Sequence, residues 1–116
     1  MLIVTSCASS QIENGFEHVK TSIKNRVYDP DSLIFNYVEG ILDIDSEKIY
    51  YKVNYNAKNR FGGYVGSEDY YYVLDLANND VNSILAEEMY RVAYNSYIIE
   101  TNLGETNIYY EKITFN

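Results

Sequence analysis

The 116-residue chain has only one cysteine, one proline and one histidine, and it has no long run of apolar residues. A single cysteine, Cys7, cannot form a disulfide within the chain. A serine protease-like triad or a zinc site would have to be built around His18, the only imidazole. Because no stretch reaches about 18 consecutive apolar residues, the sequence offers no candidate membrane-spanning helix. We therefore predict no catalytic residues, no metal site and no cofactor.

Positive charge is also scarce. Nine Lys and Arg stand against 17 Asp and Glu, which gives a net charge of −8. Residues 1–60 contain eight acids and seven bases, whereas residues 61–116 contain nine acids and only two bases. A chain this acidic repels phosphate backbones, which argues against a nucleic-acid partner. The acidic C-terminal half suits either a cationic partner or a solvated surface that keeps the protein soluble.

Tyrosine, by contrast, is abundant. There are 14 tyrosines in a composition that is 47% apolar, although an AT-rich genome would raise the same count. This apolar content with so little proline indicates a folded chain, and 116 residues suffice for one modest core. Tyrosine suits half-buried sheet surfaces, where the ring packs and the hydroxyl stays in water.

Hydrophobic spacing predicts one helix over residues 11–27 and another near residues 80–94. The first starts at a capping box, Ser10-Gln11-Ile12-Glu13, and its apolar face consists of Ile12, Phe16, Val19, Ile23 and Val27. The second follows an N-cap at Asn79-Asp80, and its expected apolar face consists of Val81, Ile84, Leu85, Met89 and Val92. Residues 95–100 fit either a helical continuation or a strand.

Alternating patterns predict strands over residues 33–38, 49–56, 64–65 with 70–76, and 107–115. Residues of the first strand expected on one face are Leu33, Phe35 and Tyr37. In the second strand, Ile49, Tyr51, Val53 and Tyr55 are expected opposite Tyr50, Lys52, Asn54 and Asn56. The expected fold class is α+β: an N-terminal amphipathic helix packed on an antiparallel sheet of three to five strands, with a second helix near residues 80–94.

The stretch Val4-Thr5-Ser6-Cys7 resembles the lipobox of bacterial lipoproteins, in which the cysteine is lipidated and becomes the mature N-terminus. The basic region and most of the apolar run that precede a lipobox are missing. On this resemblance, residues 1–10 are a signal-peptide remnant, lipobox and tether, residues 11–116 are one domain, and Cys7 holds the protein on a membrane outside the cytoplasm. If Met1 is the true start, we expect a soluble cytoplasmic protein instead.

Two motifs lie between residues 29 and 66. The first, D-P-x-S-x-x-F, is matched by Asp29-Pro30-Asp31-Ser32-Leu33-Ile34-Phe35. The second, N-A-K-N-x-F-G-G-Y-x-G, is matched by Asn56-Ala57-Lys58-Asn59-Arg60-Phe61-Gly62-Gly63-Tyr64-Val65-Gly66. The pair resembles a group of small, uncharacterised bacterial envelope proteins and lipoproteins, some carried by prophages, over residues 12 to 72. Members often have a cysteine and a glycine in the strand before the second motif, where this chain has Lys52-Val53-Asn54-Tyr55. The resemblance implies an envelope location and no established activity.

The second motif has a structural and a functional interpretation. As a rigid hairpin connection, it would use Gly62, Gly63 and Gly66 for unusual backbone angles, asparagines to bond local amides, and Phe61 to anchor the loop in the core. As a recognition patch, it would present Asn56, Lys58, Asn59, Arg60 and Tyr64 to a peptide, glycan or protein surface.

We therefore expect a non-catalytic, extracytoplasmic binding module that is tethered to the membrane through Cys7 and binds an envelope protein or glycan. An alternative is an acidic inhibitor or immunity-type protein for a basic partner, which a cluster of exposed acids around one groove would favour. A small hydrolase is the other alternative. It would need a deep pocket where His18 or a carboxylate pair, Asp43/Asp45 or Glu87/Glu88, meets a nucleophile.

Overall fold

The computed structural model of the protein describes residues 4–104 and 107–115, with side chains from Cys7 onward. Its helices are α1 (Val4–Arg26) and α2 (Ala86–Asn102). Its strands are β1 (Ile34–Asp43), β2 (Lys48–Asn56), β3 (Glu68–Asp75), β4 (Val81–Asn82) and β5 (Ile108–Thr114). A 3-10 turn, Pro30–Ser32, lies between α1 and β1. The predicted α+β fold with two helices and an antiparallel sheet is confirmed.

The five strands form one antiparallel sheet in the order β4-β3-β2-β1-β5. Strands β1, β2 and β3 form a meander, and β5 returns after α2 to pair with the free edge of β1. Helix α1 packs on one side of the sheet, called here the α1 face, and α2 packs on the other, the α2 face. The central strands β1 and β2 are therefore covered on both sides, which explains why β2 combines a buried Tyr51 with a buried Tyr50.

The core on the α1 face is built by a regular row of helix side chains. Ala8, Ile12, Phe16, Val19 and Ile23 are each no more than 3% exposed. They pack on strand residues that include Val38, Ile49, Tyr51, Val53 and Leu74. Burying one such aliphatic or aromatic side chain contributes about 1.5–3 kcal/mol relative to leaving it in water. The alternation predicted for β2 is confirmed, because Ile49, Tyr51, Val53 and Tyr55 all belong to this core while Tyr50 packs with α2.

The predicted start of the first helix at residue 11 is wrong. Helix α1 already includes Val4, and Ala8 continues the buried row one turn before Ile12. Ser10 is therefore a mid-helix residue and caps nothing. The neighbouring Ser9 instead donates a hydrogen bond to the carboxylate of Glu111 on β5, and its hydroxyl oxygen lies 3.1 Å from Glu13 Oε2. Residues 1–3, the first part of the predicted signal-peptide remnant, lie outside the described residues.

The expectation that Phe35 and Tyr37 share a face is also wrong. Phe35 pairs with Tyr55, but Tyr37 pairs with Asn54, so Asn36 is an extra residue in β1. Such a β-bulge shifts the alternation by one residue. Phe35 consequently packs in the α1-face core, whereas the Tyr37 hydroxyl reaches Asp69 on the α2 face.

The second helix differs from its prediction in position and in orientation. It begins at Ala86 rather than near residue 80, because Val81–Asn82 pairs with β3 as β4. It continues through residues 95–100 to Asn102, which settles that stretch as helix. Most of the predicted apolar face is turned outward: Ile84, Leu85 and Val92 are 65–74% exposed, whereas Val81 and Met89 pack partly against the core. The face that packs on the sheet is formed by Ala86, Tyr90 and Ala93.

Gly15 lies where α1 packs closely on the sheet, and it gives a test of that packing. A Cβ there would lie 2.5 Å from the Tyr51 hydroxyl oxygen and 2.8 Å from Leu74 Cδ2. At an exposed position within a helix, Gly→Ala raises the free energy of unfolding by up to about 1 kcal/mol. Here we expect Gly15→Ala to lower the free energy of unfolding by about 1–3 kcal/mol, because overpacking outweighs helix propensity.

Urea denaturation measures this difference, with Gly63→Ala as the matched control. No atom lies within 4 Å of a Cβ at Gly63, and its φ is outside the left-handed region. The control should change stability by less than about 0.5 kcal/mol. Unchanged stability of Gly15→Ala would contradict the close approach of α1 to Tyr51 and Leu74.

Candidate functional site

The predicted recognition residues lie in the connection between β2 and β3, residues 57–67, called here the β2–β3 loop, or at its start in Asn56. Only one bridge, between Lys58 and Tyr64, pairs the two sides of this loop. The strand predicted for residues 64–65 is therefore reduced to a single bridge, and β3 begins at Glu68. At the base of the loop the rings of Tyr55 and Tyr70 lie 4.4 Å apart, centroid to centroid, and close the hairpin.

The two asparagines of the motif hold the loop together from inside. Asn56 Oδ1 accepts hydrogen bonds from the amides of Ala57, at 2.9 Å, and Gly66, at 3.1 Å. Asn59 Oδ1 accepts from the amides of Phe61, at 2.9 Å, and Gly63, at 3.3 Å. Gly66 has a φ of +102°, a conformation that side chains with a Cβ rarely adopt. For Asn56 and Asn59 the geometry favours the structural interpretation, since their side-chain oxygens are already used.

The two sequence motifs meet at Ser32. The Ser32 hydroxyl accepts a hydrogen bond from the Lys58 amide at 2.8 Å and donates one to the Asp29 carbonyl at 2.7 Å. The Tyr64 hydroxyl donates to the Ser32 carbonyl at 3.0 Å. Ser32 is only 8% exposed. The serine of the first motif therefore anchors the β2–β3 loop on the end of the connection from α1.

The prediction that Phe61 anchors the loop in the core is wrong. Phe61 is 82% exposed, and its ring lies 5.0 Å from the Arg60 guanidinium carbon, centroid to atom. Val65 is 64% and Tyr64 46% exposed. Because Ser32 and the asparagines already fix the backbone, the tip of the loop does not need Phe61 for its shape. The loop thus presents an aromatic ring, a guanidinium group and an aliphatic side chain to solvent.

A shallow groove of about 250 Å³ runs between the β2–β3 loop and the end of α1. Its lining includes Val27, Tyr28, Tyr55, Lys58, Val65 and Tyr70. This volume is below the range of about 300–1,000 Å³ typical of pockets for small-molecule ligands, so it suits one inserted side chain. The groove also includes Asn56 and Asn59, but Arg60 and Tyr64 are not part of it. The predicted patch is therefore divided between a groove side and a tip side.

The structure also contains a polar network that the sequence did not reveal. It lies on the α2 face and comprises Tyr37, Glu39, Lys52, Asn54, Asp69 and Tyr110. Asp69 Oδ1 accepts hydrogen bonds from the Tyr37 hydroxyl at 2.7 Å and from Asn54 Nδ2 at 2.8 Å. Lys52 Nζ lies 3.6 Å from Glu39 Oε2 and 3.8 Å from Asp69 Oδ2, and the Tyr110 hydroxyl donates to Glu39. These contacts join four strands and depend on the bulge at Asn36, so no local pattern could predict them.

The network shifts the pKa values of Asp69, Lys52 and Tyr37 in a direction that keeps the first two charged and the third protonated. Partial burial favours the neutral form of Asp69, but hydrogen bonds from Asn54 and Tyr37 and the charge of Lys52 outweigh it, so the pKa of the carboxyl is lowered. Burial likewise opposes the charge of Lys52, yet the nearby Glu39 and Asp69 raise its pKa. The hydrogen bond to Asp69 raises the pKa of Tyr37. The lysine is a cation and the tyrosine a donor at neutral pH.

A cleft of about 490 Å³ opens next to this network, between the sheet and α2. It is lined by Glu39, Lys52, Tyr71, Tyr90, Arg91, Tyr94 and Asn95. Lys52 is paired with Glu39, and Arg91 forms an ion pair with Glu87. Burial raises the pKa of Tyr90, so its hydroxyl stays protonated. With Lys52 and Arg91 paired and the Tyr90 hydroxyl protonated, the cleft is suited to hydrogen bonding rather than to nucleophilic attack.

The remaining predicted residues are on the surface. Cys7 is an exposed free thiol on α1, and His18 is exposed on the same helix. Within residues 4–104 and 107–115, no group of three or more His, Cys, Asp or Glu is arranged to hold a metal ion. Neither described helix has the length and apolarity required to cross a membrane.

Comparison of the chain with protein-family models, curated proteins and solved structures found no match. The resemblance to envelope lipoproteins consequently stays a prediction, and the function has to be argued from the geometry of the loop and the clefts.

The role of Ser32 as the anchor of the β2–β3 loop can be tested by Ser32→Ala. The change removes the acceptor of the Lys58 amide and should speed hydrogen exchange of that amide while lowering the free energy of unfolding by about 1–2 kcal/mol. Ser46→Ala, in the exposed β1–β2 turn, is the matched control and should leave both quantities unchanged. Unaltered exchange at Lys58 in Ser32→Ala would show that the loop is held by other contacts.

The Asp69 network predicts a pH dependence of stability. Because the pKa of Asp69 is lowered from its ordinary value of 3.8, the folded state binds fewer protons than the unfolded state near that pH. The contribution of ionised Asp69 to the free energy of unfolding is complete when the pH is above the ordinary pKa of 3.8, and it is lost as the pH falls through the lowered pKa of the folded state. We expect Asp69→Asn to be less stable than the wild type at about pH 7, with the difference shrinking below about pH 4.

Urea denaturation across this pH range measures the effect, and Asp80→Asn, an exposed position outside the network, is the control. A stability difference between wild type and Asp69→Asn that does not change with pH would contradict the assignment of the lowered pKa to Asp69.

Proposed function

We propose that the protein is a non-catalytic binding module that is held on the outer side of a membrane by a lipid on Cys7 and binds an envelope protein through the β2–β3 loop. The observation that carries this proposal is the exposure of Phe61 at 82% on a loop whose backbone is fixed by Asn56, Asn59 and Ser32. An exposed aromatic ring on an ordered loop loses little conformational freedom on binding.

The chemistry of the loop favours a protein partner over a glycan. Phe61 and Val65 are apolar and project from the loop, which suits insertion into an apolar pocket. Arg60, beside Phe61, can pair with carboxylates at the rim of such a pocket. Lys58 adds a second cation, so this loop is basic although the whole protein carries a net charge of −8. The expected partner surface is therefore an apolar pocket with an acidic rim.

The position of Cys7 is compatible with a lipid anchor. Its thiol is exposed, and the next residue, Ala8, is buried against the sheet. Acyl chains on Cys7 would leave these contacts in place and would hold the domain close to the membrane surface. Two or three acyl chains are enough for stable attachment.

Support for a non-catalytic role comes from the cleft beside the polar network and from the groove beside the β2–β3 loop. The tyrosine and lysine pKa values are raised in the larger cleft, which disfavours a nucleophilic phenolate or a neutral amine. The groove beside the loop contains neither His18 nor a carboxylate pair. The arrangement expected for a small hydrolase is therefore not favoured by these residues.

The experiment compares capture of envelope proteins by the full chain carrying Cys7→Ser, with and without the added changes Arg60→Ser and Phe61→Ser. We expect the loop variant to lose about tenfold or more of the captured partner, since an aromatic–arginine hot spot contributes several kcal/mol. Ile44→Ser, which alters a 40% exposed apolar residue on the β1–β2 turn, is the matched control. Equal capture by the loop variant and the control would reject the loop as the binding site.

The tether is tested separately in cells that carry the gene in its native context. The wild-type protein should fractionate with membranes and incorporate labelled fatty acid, and Cys7→Ser should do neither. A wild-type protein that stays in the cytoplasmic fraction without label would reject the anchor and leave the binding test unaffected.

A further inference from the structure

Helix α2 is apolar on two sides, but the sheet covers only one of them. Ala86, Tyr90 and Ala93 are buried against the sheet. On the outer side, Val92 and Ile99 of α2 and the two residues that flank its ends, Leu85 and Leu103, are between 59% and 68% exposed. A helix with apolar residues on both sides is normally buried on both sides. Within residues 4–104 and 107–115 the outer side is left exposed, so it is open to a partner.

The outer residues follow a regular spacing. Leu85, Met89, Val92, Ser96, Ile99 and Leu103, called here the α2 stripe, are separated alternately by four and by three positions. This is the spacing with which two helices interdigitate along their length. Met89 and Ser96 are partly buried, and the other four are exposed, so the stripe presents a continuous row to solvent.

We propose that the α2 stripe is a dimer interface, in which two copies of the chain pack their α2 helices antiparallel about a two-fold axis near residue 94. The order of side chains in the stripe is self-complementary under this arrangement. Leu85 lies opposite Leu103 of the second copy, Met89 opposite Ile99, and Val92 opposite Ser96. A two-fold interface requires one surface to complement itself in this way.

The charges beside the stripe favour the antiparallel orientation. The residues directly before Met89, Ser96 and Leu103 flank the stripe on one side, and in an antiparallel pair they face the same set in the second copy. Glu88 therefore lies opposite Asn102 of the second copy, and Asn95 lies opposite Asn95. No like charges face each other. A parallel pair would instead bring Glu87 and Glu88 of both copies together at one end and align the two helix dipoles. The antiparallel pair separates the acids and opposes the dipoles.

The surface next to the stripe has room for the second helix. A groove of about 370 Å³ runs between α2 and the strand ends, and four stripe residues, Leu85, Met89, Val92 and Ser96, line it. Tyr50 and Ile108 form the opposite wall. Side chains of a second helix can enter this groove, which extends the contact beyond α2 itself.

The size and charge of the interface predict a weak dimer that salt strengthens. A 17-residue helix is about 25 Å long, so the buried area falls near the low end of stable interfaces, about 1,200 Å². Each copy carries a net charge of −8, and salt screens the repulsion between the copies. Asp43 and Glu88 also line the groove. If the partner were a different protein that binds these acids through a basic amphipathic helix, its affinity would fall at high salt, the opposite of what we expect for the dimer.

Sedimentation equilibrium of the full chain carrying Cys7→Ser tests the proposal at low and high salt. We expect a reversible dimer whose dissociation constant falls by about tenfold at high salt, as screening predicts. Adding Val92→Glu should give a monomer whose unfolding midpoint matches that of the parent protein at dilution, where the dimer has dissociated, because Val92 is 66% exposed in the single chain. Val65→Glu, which alters the same residue type at 64% exposure on the β2–β3 loop, outside this groove, is the control and should still dimerise.

The orientation is tested by cysteine cross-linking in the same Cys7→Ser background. Asn95→Cys lies near the proposed axis and should form a disulfide-linked dimer on mild oxidation, whereas Asn102→Cys should not. Cross-linking through Asn102→Cys alone would overturn the antiparallel arrangement. A monomer at all concentrations, or a dimer that Val92→Glu leaves intact, would overturn the interface. If the protein without Val92→Glu were monomeric at all concentrations and bound a helical peptide of leucine and lysine, and if Val92→Glu abolished this binding, the stripe would be the binding site for a different protein.

Discussion

The contact on which the structure depends is that between the Tyr51 side chain and α1. Tyr51 is fully buried at the centre of β2, and its hydroxyl donates to the Ile12 carbonyl at 2.6 Å. Burial raises the pKa of Tyr51, so this hydroxyl remains a donor. Two glycines make room for the ring, Gly15 on α1 and Gly40 on β1, since a Cβ at either would contact the Tyr51 side chain. The distance between helix and sheet is thus fixed by one ring and two missing side chains.

The position of the β2–β3 loop follows from this packing. Helix α1 ends beside the strand ends, the 3-10 turn Pro30–Ser32 follows at once, and Ser32 bonds the Lys58 amide and the Tyr64 hydroxyl. A buried helix is therefore connected to an exposed loop through one nearly buried serine. The exposed ring of Phe61 is presented on a backbone whose order originates in the core, which is how a small domain can hold a binding residue rigidly at its surface.

The sequence was sufficient wherever one local period determined the outcome. The apolar row of α1 and the alternation of β2 both correspond to single faces packed on a core, and both predictions hold. The failures have physical causes. A bulge at Asn36 reversed the alternation at Tyr37. Phe61 was free to point outward because Ser32 had taken over the anchoring. The network around Asp69 depends on the register of several strands, which no local pattern contains.

The error at α2 is the most informative, because the helix offers two apolar faces and spacing alone cannot choose between them. The sheet took the face with Tyr90 and Ala93: small alanines permit close approach, and tyrosines cluster with Tyr71 and Tyr110 around the polar network. The α2 stripe, whose exposed members are leucine, valine and isoleucine, was left largely in water. Hydration alone favours the opposite arrangement, with the tyrosines in water and the aliphatic residues on the sheet. The reason is that water can hydrogen-bond a tyrosine hydroxyl but has no such interaction with leucine, valine and isoleucine side chains. Burying the aromatic face on the sheet is therefore consistent with a chain whose aliphatic face is covered by another helix.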